Sequence, residues 1–372
     1  MKRVVMLIVL LVLLGMFATL AGADEVTIIK DPQPTCVEKE YRQLVKVKEL
    51  REDEDAEEFL VKPCSLVVDE RGHIFAWDAA QAKIFQYDPE LNLVRTFCRR
   101  GQGPGEISGN GPVYINLFMR GKEIYFPDSY KGKVICFNTD GELVREIPFK
   151  PKGLQNASVA LDQSGNIYLH SDNYPGNRYC IDCLDPRGNF VRGFLSRSHL
   201  HVGLFVEFKM KPLKYPTGMP NSWYAYVNDW FPLIAVNRSG HLLAYSSASG
   251  MLWVFHKGKL TRTLKLWPEK ALRDYKKTAF EDSGKGGVFS TFFGDLILDG
   301  DYADRFFLNY GNFRNGKKNH LYQFDLSGRL IRVYSISNHS RSVVQVKCKR
   351  HKKFYALNWN DFNNLTIQVF GE

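Results

Sequence analysis

From Leu66 to Glu106 the chain alternates short apolar runs with polar breaks, LVVDERGHIFAWDAAQAKIFQYDPELNLVRTFCRRGQGPGE, and that rhythm returns several times downstream. Val67 and Val68 precede the tight-turn sequence Asp69-Glu70-Arg71-Gly72, and Ile74 to Trp77 is rich in residues that fit a pleated, buried surface. Asp78 to Ala82 interrupts the apolar run, Ile84, Phe85 and Tyr87 resume it, and Asp88 to Asn92 turns the chain again before Leu93 to Phe97. Runs of about five residues separated by short breaks are the spacing of an antiparallel meander. Apolar spacing of a helical period is not sustained anywhere in the unit. A four-stranded sheet of this size cannot bury both faces alone, so it needs neighbours of its own kind.

Those neighbours are legible. A second copy starts near Val113, where Ile124-Tyr125-Phe126-Pro127-Asp128 answers Ile74 to Asp78 and Asn138 to Gly141 answers the Asp88 turn. A third has turns at Asp162 to Gly165 and at Asp185 to Gly188, a fourth runs through IAVNRSGHLLAYSS and LWVFHKGKLTRTLKL, and a fifth extends from Phe293 to Ile336. The best-matched pair is QFDLSGRLIRVY with QYDPELNLVRTF, in which the turn, the following aliphatic pair and the Arg all align. The last copy, Val343 to Phe370, has only three strand-like runs, whereas Tyr41 to Leu50 is an isolated alternating run with no partner of its own near the other end. If that segment, about 41–50, supplies the missing outer strand, the two termini close a ring and leave no open edge. The expected fold is therefore all-β: a six-bladed β-propeller of four-stranded antiparallel blades, with the N-terminal strand joining the last blade. Residues 24–372 form one domain on this reading, with insertions at about 196–230 and 267–291.

Residues 1–23 read as a secretory signal, with Lys2 and Arg3 before an apolar segment and Ala21-Gly22-Ala23 before Asp24. The mature chain is expected to be exported, periplasmic or extracellular, monomeric, and without a membrane span once the signal is cleaved. The formal charge of +10 falls to about +8 without Lys2 and Arg3. A basic surface attracts acidic polysaccharide or nucleic acid, but the basic residues are spread over many turns and the export signal argues against a nucleic-acid partner. Of the seven cysteines, at least one stays unpaired. Cys180 and Cys183 fall three apart in an expected strand and so on opposite faces, while ring closure makes Cys36 with Cys348 the more attractive bridge.

The segments Asp69 to Asp78, Lys83 to Asp88 and Gly101 to Glu106 (GQGPGE) resemble NHL-type repeat proteins, and more narrowly exported bacterial six-bladed β-propellers of unknown function. The resemblance implies a fold and a tendency to bind something at the mouth of the ring. It implies no single activity, because one architecture hosts many chemistries.

Candidate site residues follow from strand direction. Asp78, Asp128 and Asp172 each end the second strand of a blade, on the face expected to carry Gly101 to Gly105 and both insertions. They are candidate ligand-binding residues, with a hard cation such as Ca as a weak alternative reading. An Asp ending a strand equally accepts backbone N–H bonds from the following turn. The first insertion carries His199 and His201, several lysines, and the aromatic cluster Trp223, Tyr224, Tyr226 and Trp230, which suits stacking on sugar or peptide or else pins the loop to the ring. The second insertion, from Pro268, has the spacing of a short helix. GQGPGE lacks the Lys-Ser/Thr of a phosphate-cradling loop, and neither a nucleophile elbow nor an H-E-x-x-H pattern is present. The expectation is an exported binding or interaction module for a carbohydrate, peptide or protein, with no cofactor. The second reading is a metal-dependent hydrolase or lyase using acidic residues at the central channel.

Overall fold

The computed structural model describes residues 26–28, 42–50, 57–108, 117–128, 130–149, 159–170, 179–196, 233–246, 250–266, 296–299, 301–310, 319–336, 342–349, 353–361 and 364–372. Among them there are strands and no helices. Two strands, β1 (Val26–Ile28) and β2 (Arg42–Glu49), precede the first blade, which is β3 (Pro63–Val68), β4 (Ile74–Asp78), β5 (Lys83–Tyr87) and β6 (Leu93–Phe97). The second blade is β7 (Phe118–Arg120), β8 (Glu123–Asp128), β9 (Lys133–Asn138) and β10 (Leu143–Pro148); the third is β11 (Val159–Leu161), β12 (Ile167–His170), β13 (Tyr179–Leu184) and β14 (Phe190–Ser196). The fourth is β15 (Leu233–Val236), β16 (His241–Ser246), β17 (Met251–His256) and β18 (Lys259–Lys265), with β1 added in parallel on its outer edge. The remaining strands, β19 (Leu296–Leu298), β20 (Arg305–Tyr310), β21 (Asn319–Asp325), β22 (Leu330–Ile336), β23 (Ser342–Lys349), β24 (Lys353–Asp361) and β25 (Asn364–Gly371), form one eight-stranded sheet with β2 between β22 and β25. The architecture is all-β, with four-stranded antiparallel blades in a propeller arrangement.

The period-2 pattern of the second strands explains how the blades pack. In β4, Ile74 and Ala76 point into one buried cluster, shared with Tyr355 and Leu357, while Phe75 and Trp77 point into another, shared with Ile124 and Phe126. The alternation repeats in β8, β12, β16, β20 and β24. Each strand is a wall between two cores, which is why these runs are apolar throughout rather than amphipathic. Trp77 is fully buried and meets Phe126 edge-on at 4.6 Å between ring centres.

The turns are built alike. At Asp69, Asp162 and Asn237, a side-chain oxygen accepts the backbone N–H groups of the residues two and four positions on, at 2.8–3.1 Å. Asp88, Asn138, Asp185 and Asp325 do the same in the outer hairpins. This side-chain cap mimics a backbone turn and leaves the third residue after it left-handed, a position filled by glycine at Gly72, Gly141, Gly165, Gly188, Gly240 and Gly328 and by Leu91 (φ 73°) after Asp88.

A further regularity lies in the outer strands. In every four-stranded group one extra residue bulges from the pairing: Val94, Val144, Val191, Thr261, Ile331 and, in β2, Val47. A basic residue follows each bulge, and bulges re-aim the side chains beside them. Arg95 donates to the Asp140 carbonyl at 2.7 Å, Arg262 to Leu326 at 3.2 Å and Lys48 to Pro89 at 2.7 Å, each reaching the outer turn of the next group. The aliphatic pair and Arg of the sequence repeat are thus the bulge and its latch.

The N-terminal strand differs from expectation in one respect. It pairs antiparallel with β25 over Val45 to Glu49, as ring closure requires, but Arg42 to Leu44 also run parallel to Tyr334 to Ile336 of β22. Its burial does not alternate: Leu44 alone is fully buried, while Val45 and Val47 are 60% and 61% exposed. The strand crosses from one sheet edge to the next, so only the residue at the crossing has a core to enter. Cys36 and the signal segment lie outside the described residues. Cys180 and Cys183 in β13 are both buried in the core shared by the third and fourth blades.

Candidate functional site

The first strands of the groups, β3, β7, β11, β15, β19 and β23, contact one another in that order, and β23 contacts β3. Each is hydrogen-bonded within its sheet on one side only, so its other edge presents backbone N–H and C=O groups toward the centre. Between them lies a cavity of about 390 Å³, within the size range of small-molecule sites. Its walls include Val67, Leu117, Val159, Leu161, Ile234 and Ile297. Its polar lining comes from the first turns of the blades, Asp69 and Glu70, Arg120, Asp162 and Gln163, Asn237 and Arg238, and Asp299, Tyr302 and Arg305, and from Lys347 of β23.

Those turns are tied to one another around the cavity. Arg120 donates to the Gln163 carbonyl, Gln163 Nε2 donates to the Arg238 carbonyl at 2.5 Å, and Asn237 Nδ2 donates to the Ala303 carbonyl at 2.6 Å. One turn's side chain thereby holds the next turn's backbone, which fixes the lining without a long loop. The acids are used locally. Asp69 Oδ2 lies 2.8 Å from His73 Nδ1 and its Oδ1 accepts two backbone N–H groups; Asp162 accepts from Asn166 and Tyr168 besides its own turn. Asp299 accepts the N–H groups of Asp301 and Tyr302 and the Gln323 side chain at 2.5 Å. Arg305 sits with its guanidinium carbon 3.8 Å from the centre of the Tyr302 ring.

The residues singled out from sequence lie elsewhere. Asp78 and Asp128 are buried at the opposite ends of the strands from the cavity turns. Asp78 accepts the N–H groups of Val61, Lys62 and Gln81 at 2.6–2.9 Å. Asp128 accepts those of Ser108 and Lys131 and the Ser108 hydroxyl at 2.7–3.0 Å. Each carboxylate thus clamps the connector entering its own blade to the turn that follows β4 or β8. Asp172, Trp223, Tyr224, Trp230, His199, His201 and the Pro268 segment lie outside the described residues. Among the described residues no group of three or more His, Cys, Asp or Glu is placed to hold a metal ion.

The GQGPGE segment folds onto itself. Glu106 accepts the Gly103 N–H and the Arg99 guanidinium, both at 2.7 Å, and these hold its carboxyl below the usual carboxylate range. A Cβ on Gly101 would lie 2.0 Å from a Glu106 oxygen, so the glycine makes room for that carboxylate. Burial pushes the thiol of Cys98, beside this loop, up to about 12, so it stays protonated at neutral pH.

Comparison with known proteins adds the fold class. No family model and no curated protein matches the chain. Among solved structures it is similar to a member of the DUF4221 family from Bacteroides vulgatus, at 12% identity and a TM-score of 0.54, covering 89% of this chain and 98% of that one. It is also similar to a Bacteroides fragilis protein assigned as exported, at 11% identity and a TM-score of 0.51, covering 93% and 99%. A streptogramin B lyase aligns at 13% identity with a TM-score of 0.48 over 87% of both chains. These likenesses concern the fold alone. No helix among the described residues is long and apolar enough to cross a membrane.

The Asp-x-x-Gly and Asn-x-x-Gly turns were visible in the sequence, but their gathering around one cavity was not. Arg120, Arg238 and Arg305 follow no common register, so a repeat alignment passes over them.

Proposed function

We propose that the chain is an exported, six-bladed ligand-binding propeller whose axial cavity holds the ligand. Six blades are supported by six buried clusters, one between each successive pair of four-stranded groups, and by the six equivalent bulges. On this count the eight-stranded sheet is two blades joined at β2. Export is supported by the leader-like residues 1–23 and by the kind of repeat the chain resembles.

The observation that carries the binding reading is the cavity itself: apolar walls, open strand edges, and turns locked to one another before any ligand arrives. A preorganised pocket loses little freedom when it fills. The carbohydrate, peptide or protein class follows from the same features, which supply hydrogen-bonding groups rather than a reactive nucleophile. The test is a binding screen of glycans and peptides with the wild-type chain and with Gln163→Trp, which places a bulky ring at the cavity turns. A ligand held in the cavity loses affinity for the variant, which still melts cooperatively with a Tm lowered only by the lost Gln163–Arg238 tie. A ligand that binds both equally sits elsewhere and refutes the assignment.

A further inference from the structure

The cavity lining is unequal in what it leaves open. Asp162 accepts four hydrogen bonds from its own turn and neighbours, and Asp69 and Asp299 at least three each, so they have little accepting capacity left for a ligand. Glu70 is the exposed carboxylate of the lining. The guanidinium groups are differently placed. A guanidinium carries five N–H donors; Arg120 gives one to the Gln163 carbonyl, Arg305 is engaged through its face by Tyr302, and the exposed side chain of Arg238 has no hydrogen-bond partner among the described residues. Arg238 and Arg305 thus keep N–H groups that no carboxylate among the described residues engages, while Arg120 lies opposite Glu123 across the β7–β8 turn and shares its field with that carboxylate. The rest of the chain reinforces this, since 50 Lys and Arg against 40 Asp and Glu give a surface that draws anions.

The geometry points to an acidic saccharide as the ligand: a sugar bearing a carboxylate or sulfate, its anionic group bound by Arg120, Arg238 and Arg305 and its hydroxyls by the open edges of the first strands. This rests on the axial cavity being the binding site. Backbone N–H and C=O groups donate and accept equally, which suits hydroxyls, while the planar fork of a guanidinium matches the two oxygens of a carboxylate or sulfate. A peptide of acidic side chains would also satisfy the arginines, and its amides would pair with a strand edge long enough to take an added strand. The saccharide is favoured because five of the six first strands are only three to six residues long, β23 with eight being the exception, so most of the rim offers short, separate edges.

The experiment is calorimetric titration of the full chain with three probes: a uronic-acid disaccharide, the neutral disaccharide of the same linkage, and an acidic dipeptide of equal charge. Binding by the uronic-acid probe, weakened about tenfold or more by Arg238→Ala, is the expected result. It weakens further in Arg120→Ala/Arg305→Ala, falls with added salt, and is unmoved by the control Arg187→Ala in the outer turn of the third blade. Equal binding of the neutral sugar, blocked by Gln163→Trp, overturns the acidic class and leaves the cavity reading standing. Tighter binding of the dipeptide also overturns it. Binding of the uronic-acid probe that no arginine variant changes, yet Gln163→Trp abolishes, removes the arginines from the site. Binding indifferent to all variants, or no binding by any probe, refutes the inference; indifference to Gln163→Trp refutes the cavity reading as well.

Discussion

The first blade and the sheet around β2 solve the same packing problem by opposite means. In the first blade every pairing is between consecutive strands separated by a short turn, so the sheet is assembled from local hairpins. At the seam, β2 pairs with strands near residues 334 and 370, so the equivalent strand is recruited from the far end of the chain. Both ends of this comparison carry the same bulge, the same basic latch and the same kind of core. The difference is entropic: a hairpin closes a small loop, whereas β2 is held only once the whole ring has assembled. Buried side chains on the two sides also differ in number, since β4 presents five buried residues and β2 one, Leu44.

Removing the chain up to Leu50 should have the largest effect. It strips β25 and β22 of their partner and uncovers the Leu44 site beside Phe307, Tyr334, Phe354 and Phe370. We expect loss of cooperative unfolding or association into oligomers, read by calorimetry and light scattering; a truncated chain that melts as the full one does would show the seam to be dispensable. Next in size, Trp77→Ala removes the largest side chain between the first two blades and should cost about 3–5 kcal/mol, measured by denaturant unfolding. Leu44→Ala should cost about 2–5 kcal/mol. It should also speed amide exchange in β25 and β22 ahead of β4, a selectivity that Trp77→Ala lacks.

Two glycines separate backbone conformation from close approach. Gly240 has φ +75° with open space where a Cβ would stand, so Gly240→Ala tests the left-handed conformation alone, at about 1–2 kcal/mol. Gly188 has φ +87° and a Cβ there would lie 2.0 Å from the Pro148 carbonyl of the preceding blade, so Gly188→Ala should cost more. Equal losses in the two variants would show that the approach of neighbouring blades relaxes freely.

Acid should produce the smallest and most graded effect. His241 stacks on His256 at 4.3 Å, and burial, then the charges of His256 and Arg262, lower its pKa below 6.5. The folded state therefore binds fewer protons than the unfolded state, and this contribution, present above pH 6.5, is lost as pH falls through the folded value. Asp88 and Asp185, held low first by Asn92 and Asn189, behave likewise below 3.8. Tm should thus fall in two stages, and His241→Gln should flatten the upper one without moving the lower.

Much of the fold was legible because its signals are local. An Asx residue capping the N–H groups two and four positions on, a left-handed glycine between them, and apolar runs between such turns are properties of short segments. Leu93-Val94-Arg95 and Leu330-Ile331-Arg332 announced the outer strands in the same way, although a bulge cannot be inferred from one strand without its partner's register. Asp78 and Asp128 end β4 and β8, and their hydrogen bonds to the connectors are again made within about one blade of sequence. The cavity residues were not legible as a set, since Arg120, Arg238 and Arg305 occupy different registers in different repeats.

By itself the sequence determined the repeating unit, its turn chemistry and the all-apolar walls, because each depends on neighbours a few residues apart and on the two-residue period of a strand. Tertiary structure alone decided that β2 would serve two sheet edges, that Leu44 would be its buried residue, and that turns from successive groups would share one cavity with more open guanidinium donors than carboxylates. Those outcomes depend on segments distant in the chain meeting in space, and no local pattern of apolar and polar residues encodes which of them will meet.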